Sequence, residues 1–478
     1  MRKRKVFPLL ENIEIIDAGA EGKAVAKVDE LVVFVPFCVP GDVVDIQVIS
    51  KKKSFAEGKV VKYHTYSPLR VEPFCEHFGT CGGCKWQSLS YDKQLSYKQK
   101  QVIDNFTRIG KLDCNNLSPI LGSPQTMYYR NKLEYTFSDK RWLTIEEMEN
   151  EPKEGRQMNA LGFHIPQLFD RVLDIKNCYL QPDPSNNIRL AIKNFTIKKS
   201  WSYYNARTHE GFLRNIVIRN TQDGQWMIIM VFAYKEDEKI KEMMDFIASE
   251  FPEITSLMYV INEKHNDTLA DQEVLLWKGV PYLTETMQAP HTGGKPLTFR
   301  VGPISFYQTN PLQAYFLYKT AFDLAGFTGK EIVYDLYCGT GTITNFVAPY
   351  VKKAVGVEYV PSAIEDAKIN AQLNGLTNTV FYAGDLAKVL TPDFVVQNDS
   401  PDIIITDPPR SGMHPNVIAQ ILEIAPRKVV YVSCNPATQA RDLSMMAEKY
   451  DIKAIQPVDM FPHTHHVENV VLLELKTE

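Results

Sequence analysis

The sequence predicts an α/β chain: a doubly wound, Rossmann-like sheet at the C-terminal end, a small β-barrel at the N-terminal end and a central α+β region. Three observations predict it. From Ile332 onward the apolar runs IVYDLYC, AVGVEYV, TVFYAGD, DIIITDPP, KVVYVSC and VENVVLLEL alternate with helical segments such as PSAIEDAKINAQLNGL, the pattern of parallel strands joined by crossover helices. The first 64 residues instead carry short strands broken by turns, as small barrels do. Between about Tyr128 and Arg300, the candidates KLEYTFS, FLRNIVIRN, WMIIMVFAY and SLMYVIN read as an antiparallel sheet with helices.

In chain order, NIEIID, AVAKV, LVVFVPF, VVDIQVIS and KVVKYHTY are the barrel strands, separated by AGAEGK, VPGD and KKKSFAEGK. Ser67–Cys84 is loop-like and holds three cysteines. SYDKQLSYKQKQVIDNFTRIG reads as a helix with lysines on one side, ending at Gly110. The charged, irregular stretch Thr144–Asn159 is expected to be an exposed insertion. The expected domains are 1–64, 65–300 and 301–478.

A chain of 478 residues with 44% hydrophobic content has room for two or three domains with their own cores. It has no apolar run of 18 residues, and MRKRKVFPLLENIEIID lacks the apolar stretch and cleavage site of a secretory signal, so a cytoplasmic protein with no membrane segment is expected. Eight cysteines in so long a chain are no disulfide framework; clustered ones suggest metal binding, isolated ones packing or catalysis. A formal charge of −4 argues against coating nucleic acid by bulk electrostatics. Between Lys51 and Lys111, however, twelve Lys and Arg stand against five Asp and Glu, a patch that suits phosphate contacts or an ordinary solvated face.

Four constellations carry chemistry. In DLYCGTGTIT, Asp335 nears a strand end and Gly339 and Gly341 occupy the turn before a helix, where glycine lets backbone approach a ligand. Glu358 in AVGVEYV follows, placed where nucleotide-binding α/β folds put a carboxylate on ribose, and Asp385 in AGD ends the next strand. The loop lacks the third glycine of a dinucleotide site, and Gly, Glu and Asp on successive strand ends fit S-adenosylmethionine better. In DIIITDPPR two prolines stiffen the loop and Arg410 stands where enzymes acting on exocyclic amines place an aromatic. In VVYVSCNPAT, Cys434 ends a strand; it is either a packed thiol or a soft nucleophile able to add to C6 of a uracil ring and activate C5 toward a methyl sulfonium. That addition requires later removal of the C5 proton, for which Glu468 in FPHTHHVENVVLL is the candidate base; the competing reading makes His463, His465, His466 and Glu468 a metal site. Finally CEHFGTCGGC supplies Cys75, Cys81 and Cys84, with Cys178 distant in DIKNCYLQPD, a set suited to zinc or to an iron–sulfur cluster.

With these motifs in this order, the sequence resembles the RNA uracil-5-methyltransferase family, in particular its 23S ribosomal RNA members, over nearly its whole length. The resemblance implies a class I S-adenosylmethionine-dependent methyltransferase domain, an N-terminal OB-like TRAM barrel that binds RNA, and a 4Fe-4S cluster on Cys75, Cys81, Cys84 and Cys178. It makes Cys434 the nucleophile and Glu468 the base, and assigns cofactor contacts to Gln308 in FYQTN, Tyr337, Glu358, Asp407 and, on the adenine side, Asp385. It implies that residues 93–122 pack back on the catalytic domain and that the enzyme acts as a monomer. Transfer RNA enzymes of the family, acting on the T-loop uridine, are expected to lack barrel and cluster, which favours ribosomal RNA here. A catalytically silent RNA-binding iron–sulfur protein is the rival from another class.

Overall fold

Short N-terminal strands with small inward residues close on themselves. In the computed structural model, which describes residues 7–150 and 152–477, the strands Leu9–Ala18, Ala24–Val28, Leu31–Val35, Val43–Lys51 and Phe55–Thr65 form a closed barrel in which the last two exchange places. Ile15, Ala24, Ala26, Val33, Val35, Val44, Ile46 and Ala56 fill it, and closure leaves no unpaired edge. Gly58 is required where the fourth and fifth strands meet, because a Cβ there would lie 2.3 Å from Ile46 Cγ2.

The central region is an eight-stranded sheet built on Lys132–Ser138, Leu213–Asn220, Trp226–Phe232 and Ser256–Ile261. It is not wholly antiparallel as expected. Trp226–Phe232 and Ser256–Ile261 run parallel because the helix Asp237–Glu250 between them carries the chain back to the same end. In the insertion, residues 145–150 form a short exposed helix; Glu151 lies outside the described residues.

The third body is a seven-stranded sheet with spatial order Thr379–Ala383, Lys353–Glu358, Ile332–Leu336, Ile403–Thr406, Lys428–Ser433, Glu468–Leu475, Tyr450–Val458. The first five strands are parallel, and Glu468–Leu475 is antiparallel to both its neighbours. This is the doubly wound sheet the sequence predicts, with strand order reversing between Ile332–Leu336 and Ile403–Thr406, where such sheets open a ligand crevice. The edge strand Tyr450–Val458 was not expected. It pairs along its length with Glu468–Leu475, and a remote segment covers its other side, Leu117 bridging Ile455 and Leu121 bridging Val458.

The helix Tyr91–Asn105 lies against this third body. Its lysines do not share one solvated side: Lys98 is 0% exposed and its Nζ sits 2.5 Å from Asp459 Oδ1 while donating to the Phe461 carbonyl. No helix among the described residues is long and apolar enough to cross a membrane.

Candidate active site

The buried strand Ile332–Leu336 delivers the chain into a turn that needs left-handed backbone at Tyr337 (φ 65°), Gly339 (54°) and Gly341 (73°). A non-glycine residue in that region is uncommon and marks a turn held by its surroundings. A Cβ at Gly339 would meet nothing within 4 Å, so the turn leaves open space above it. Glu358 accepts from the N–H of Gly339 at 3.2 Å and of Val360 at 2.9 Å, tying the ends of two adjacent strands together. Beside them is a cavity of about 510 Å³ lined by Tyr337, Tyr359, Asp385, Pro409, His414 and Asp442.

Of the five expected cofactor residues, Tyr337 and Asp385 therefore line this cavity, and Glu358 borders it through its neighbour Tyr359. Asp385 also caps the helix Leu386–Val389. Gln308 is buried away from the cavity wall, its main-chain oxygen accepting from Asn131. Asp407 ends the strand that leads to Pro409; burial and then the charge of Asp335 push its carboxyl up to about 7. Asp335, also raised to about 7 by burial, accepts from Thr344 at 2.5 Å through one oxygen and leaves the other unpartnered.

Cys434 stands at the end of Lys428–Ser433, where the chain turns into the helix Pro436–Met446. Asn435 caps that helix by accepting from Ala437 N–H, and proline opens the first turn, so the local sequence CNPAT encodes the turn itself. Asn435 Nδ2 and Thr438 Oγ1 both donate to the Arg410 carbonyl, at 2.9 and 3.2 Å, which binds the cysteine turn to the DPPR turn. Cys434, Arg410, His465 and His466 line a cleft of about 730 Å³ whose opposite wall comes from the barrel (Asp17, Phe34) and the Tyr91–Asn105 helix. Pro409 lines the first cavity and Arg410 the second, so the two meet at one rigid loop.

Glu468 is brought to the cysteine by strand direction. Because Glu468–Leu475 runs antiparallel, its first residue lies at the carboxyl end of the parallel strands; the ladder ends at Ser433 with Asn469, so Cys434 and Glu468 are the next residues beyond its last pair. Glu468 is 5% exposed, and burial, then the charge of Asp407, pushes it up to about 8. Burial also pushes the Cys434 thiol up to about 11; Glu468 and Asp407 add to the rise, and the Arg410 guanidinium opposes it. Burial thus favours the protonated form of both groups, with Arg410 as the nearby cation that favours their ionised forms.

The histidines serve another purpose than metal binding. His463 N–H donates to Gln94 Oε1, its ring bonds Gln94 Nε2, and burial holds it down to about 4. Arg410 donates to His466 Nδ1 at 3.1 Å. Among the described residues, no group of three or more His, Cys, Asp or Glu is placed to hold a metal ion, and this applies to the histidines and to the cysteines alike.

Cys75, Cys81, Cys84 and Cys178 do come together, around a cavity of about 340 Å³ that His77, Arg130 and His164 also line. All four are free thiols raised by burial, Cys81 to about 11 and Cys84 to about 12; the charges of Cys75 and Cys178 add to the rise at both, and that of Cys81 adds to it at Cys84. Zinc needs sulfurs about 2.3 Å from one point. Four thiols line one cavity, and among the described residues no group of three or more His, Cys, Asp or Glu is placed to hold a single metal ion. This loop also touches the catalytic segment: the N–H groups of Lys85 and Trp86 donate to the His463 carbonyl at 2.8 and 3.0 Å.

Comparison with known proteins agrees with this geometry. The family model for tRNA (uracil-5-)-methyltransferases matches residues 271–476, and that for the TRAM domain matches 11–61, across the barrel. An uncharacterized RNA methyltransferase of Bacteroides thetaiotaomicron is 56% identical over 96% of this chain and 100% of its own length; another, of Porphyromonas gingivalis, is 51% identical over 98% and 100%. The chain belongs to the RNA uracil-5-methyltransferase family. The solved structure of Pyrococcus abyssi tRNA (uracil-54, C5)-methyltransferase in complex with S-adenosyl-L-homocysteine matches with TM-score 0.73 and 27% identity, over 96% of this chain and 100% of that one. This enzyme is accordingly an S-adenosylmethionine-dependent RNA methyltransferase with a Rossmann-like domain and a TRAM barrel. The likeness weakens one expectation: the 4% of this chain left uncovered is far too short to be the barrel, so a barrel does not by itself separate ribosomal from transfer RNA enzymes.

Sequence reasoning missed the contributions of remote segments. Asp17 and Phe34 from the barrel, Gln94 and Lys98 from the helix, and Tyr359 beside Glu358 carry no motif of their own. For the helix, the implied return of residues 93–122 to the catalytic domain gave the packing but not the partners; for the barrel residues and Tyr359 there was no signal.

Proposed function

We propose that this methyltransferase acts on C5 of one uridine in 23S ribosomal RNA, with Cys434 as nucleophile and Glu468 as base. The observation that supports the reading is the last pair of the ladder, Ser433 with Asn469, which leaves Cys434 and Glu468 as the next residues at the carboxyl end of the sheet, where the Glu468 charge acts on the Cys434 thiol, one loop away from the Tyr337–Asp385 cavity. The target base, turned out of its stack at a cost of a few kcal/mol, enters the cleft between barrel and sheet. In the loaded site Glu468 gives its proton to water and is ionised; Cys434 likewise passes its thiol proton to water, and the thiolate bonds to C6 as the C5=C6 electrons move toward C5 and O4. C5 then takes the methyl group as the sulfonium C–S bond breaks, leaving S-adenosylhomocysteine. Glu468 removes the C5 proton, the double bond re-forms and thiolate leaves. Gln308, Tyr337, Glu358, Asp385 and Asp407 hold the cofactor in this scheme. Residues 1–64 with the exposed Lys51, Lys52, Lys53, Lys59 and Lys62 hold the RNA backbone, 65–300 carry the cysteine loop and 301–478 perform the transfer, as a cytoplasmic monomer.

Cys434→Ala should form no RNA adduct and transfer no methyl group. Glu468→Gln should accumulate a methylated covalent protein–RNA adduct on denaturing gels and lose turnover by about 10²–10⁴, the usual worth of a general base. An active Cys434→Ala protein sinks the scheme. The second reading, a T-loop uridine of transfer RNA, is favoured by the Pyrococcus abyssi likeness. Tritiated methyl incorporation into unmodified 23S and transfer RNA transcripts, located at C5 of uridine, decides between them. We further propose that Cys75, Cys81, Cys84 and Cys178 hold a 4Fe-4S cluster. Methyl transfer needs no electron, so its part is to clamp the 75–84 loop to the Cys178 segment. Anaerobic purification should give a brown protein with about four irons per chain; a colourless zinc protein overturns the assignment.

A further inference from the structure

A cavity of about 710 Å³ on the central sheet plays no part in the chemistry above. His164 lines both it and the cysteine cavity, so the two share a wall. Its surface carries flat rings fixed in place. Phe169 is 63% exposed on the strand Leu168–Asp174, with the Arg207 guanidinium 5.3 Å from its ring centre and Arg207 itself anchored on Asp170. Opposite, the rings of His209 and His265 stack 3.9 Å apart and within 4° of parallel. Tyr204 donates or accepts at His209 Nδ1 and rests 4.3 Å from the guanidinium of Arg214. Arg214 is buried and donates to the carbonyls of Asn262, Lys264 and Asn266, so the wall is braced from beneath.

This construction has a chemical meaning. Asp170 and Asp267 pair with Arg207 and Arg214, leaving little net positive charge to attract a phosphate. What remains is π-surface with polar groups at its margin, including the shielded, unpartnered Nδ1 of His164. An exposed aromatic ring with a planar cation fixed near it is a stacking platform, and every nucleobase presents a π-face to such a platform. We propose that this cavity is a second RNA subsite, stacking one unpaired base of the substrate RNA on Phe169 and the His209–His265 pair, outside the catalytic cleft. The proposal rests on the RNA methyltransferase reading and goes beyond it, because it makes recognition depend on a nucleotide other than the one methylated.

The test uses the full-length protein and two probes, unmodified 23S and transfer RNA transcripts. Phe169→Ala should fold normally, since the ring is exposed, and should raise Kd and KM for the methylated transcript about 5- to 150-fold, the equivalent of the 1–3 kcal/mol that one stacked base contributes. The kcat should be unchanged, and Phe169→Trp should restore wild-type values. A short stem-loop carrying only the target uridine should not distinguish wild type from Phe169→Ala. Equal Kd and KM for the two proteins on the long transcript overturn the proposal, as does a loss that Trp does not rescue. If the wild type methylates neither transcript, the parent reading fails, while the Kd comparison still decides the subsite.

Discussion

Cys434 and Glu468 are both pushed toward their protonated forms for the same physical reason: burial, complete for Glu468 and partial for Cys434, with the charge of Asp407 added, while only Arg410 opposes the rise. A bound sulfonium would add a second cation. The stability consequence follows from linkage. Glu468 ionises near 4.5 in the unfolded chain and near 8 in the folded one, so its contribution is intact below pH 4.5 and is lost as pH rises toward 8. Glu468→Gln removes that penalty. Its melting temperature relative to wild type should rise steadily between pH 5 and pH 9, by up to the equivalent of about 4–5 kcal/mol. A difference independent of pH contradicts the assignment. The pair itself was legible in the sequence as two motifs; that they come to the same end of the sheet was not, because register between strands is set by the whole sheet.

At the scale of elements, the helix Tyr91–Asn105 joins the cysteine loop to the catalytic segment. Gln94 Nε2 donates to the carbonyls of Trp86 and Leu89, and its Oε1 accepts from His463 N–H. Tyr91 and Lys98 both donate to Asp459. Removing one partner of a fully buried ion pair leaves the other charge uncompensated, so Lys98→Met should cost about 3–5 kcal/mol. The Lys98→Met, Asp459→Leu double variant should recover part of this in a denaturant titration; a double variant as unstable as the single shows that packing and not charge dominates. Gly162 tests the central sheet. A Cβ there would lie 2.0 Å from the Leu173 carbonyl, so Gly162→Ala must push Ala160–Ile165 from its neighbour, at about 1–3 kcal/mol by melting temperature.

For the whole molecule, charge and shape divide the work of RNA binding. Of the basic stretch between Lys51 and Lys111, Lys98 is spent on Asp459, Arg70 on Asp42 and Lys100 on Asp17 and Asp104, while Lys51, Lys52 and Lys53 stay exposed on the barrel. Replacing those three by alanine should weaken binding to all RNA sequences and reduce the slope of log Kd against log salt by about 2, given roughly 0.7 per phosphate contact on single strands. An unchanged slope would place the phosphate contacts elsewhere. The cleft has the barrel as one wall and the turn after the sheet that carries Cys434 as the other, so in the proposed scheme RNA held by the barrel would lie next to Cys434.

The sequence by itself determined the fold class, the barrel, and the strand-end motifs that hold Cys434, Glu358, Asp385 and Asp407, because strand periodicity and turn chemistry are local properties. It also flagged the four cysteines by residue type. Only the tertiary structure decided that Glu468 and Cys434 come to the same end of the sheet, that the cysteines line one cavity, that Lys98 is buried and that the barrel walls the cleft. Each depends on residues up to 369 positions apart, as Gln94 and His463 are, and such distances are closed by packing rather than by anything the local chain can encode.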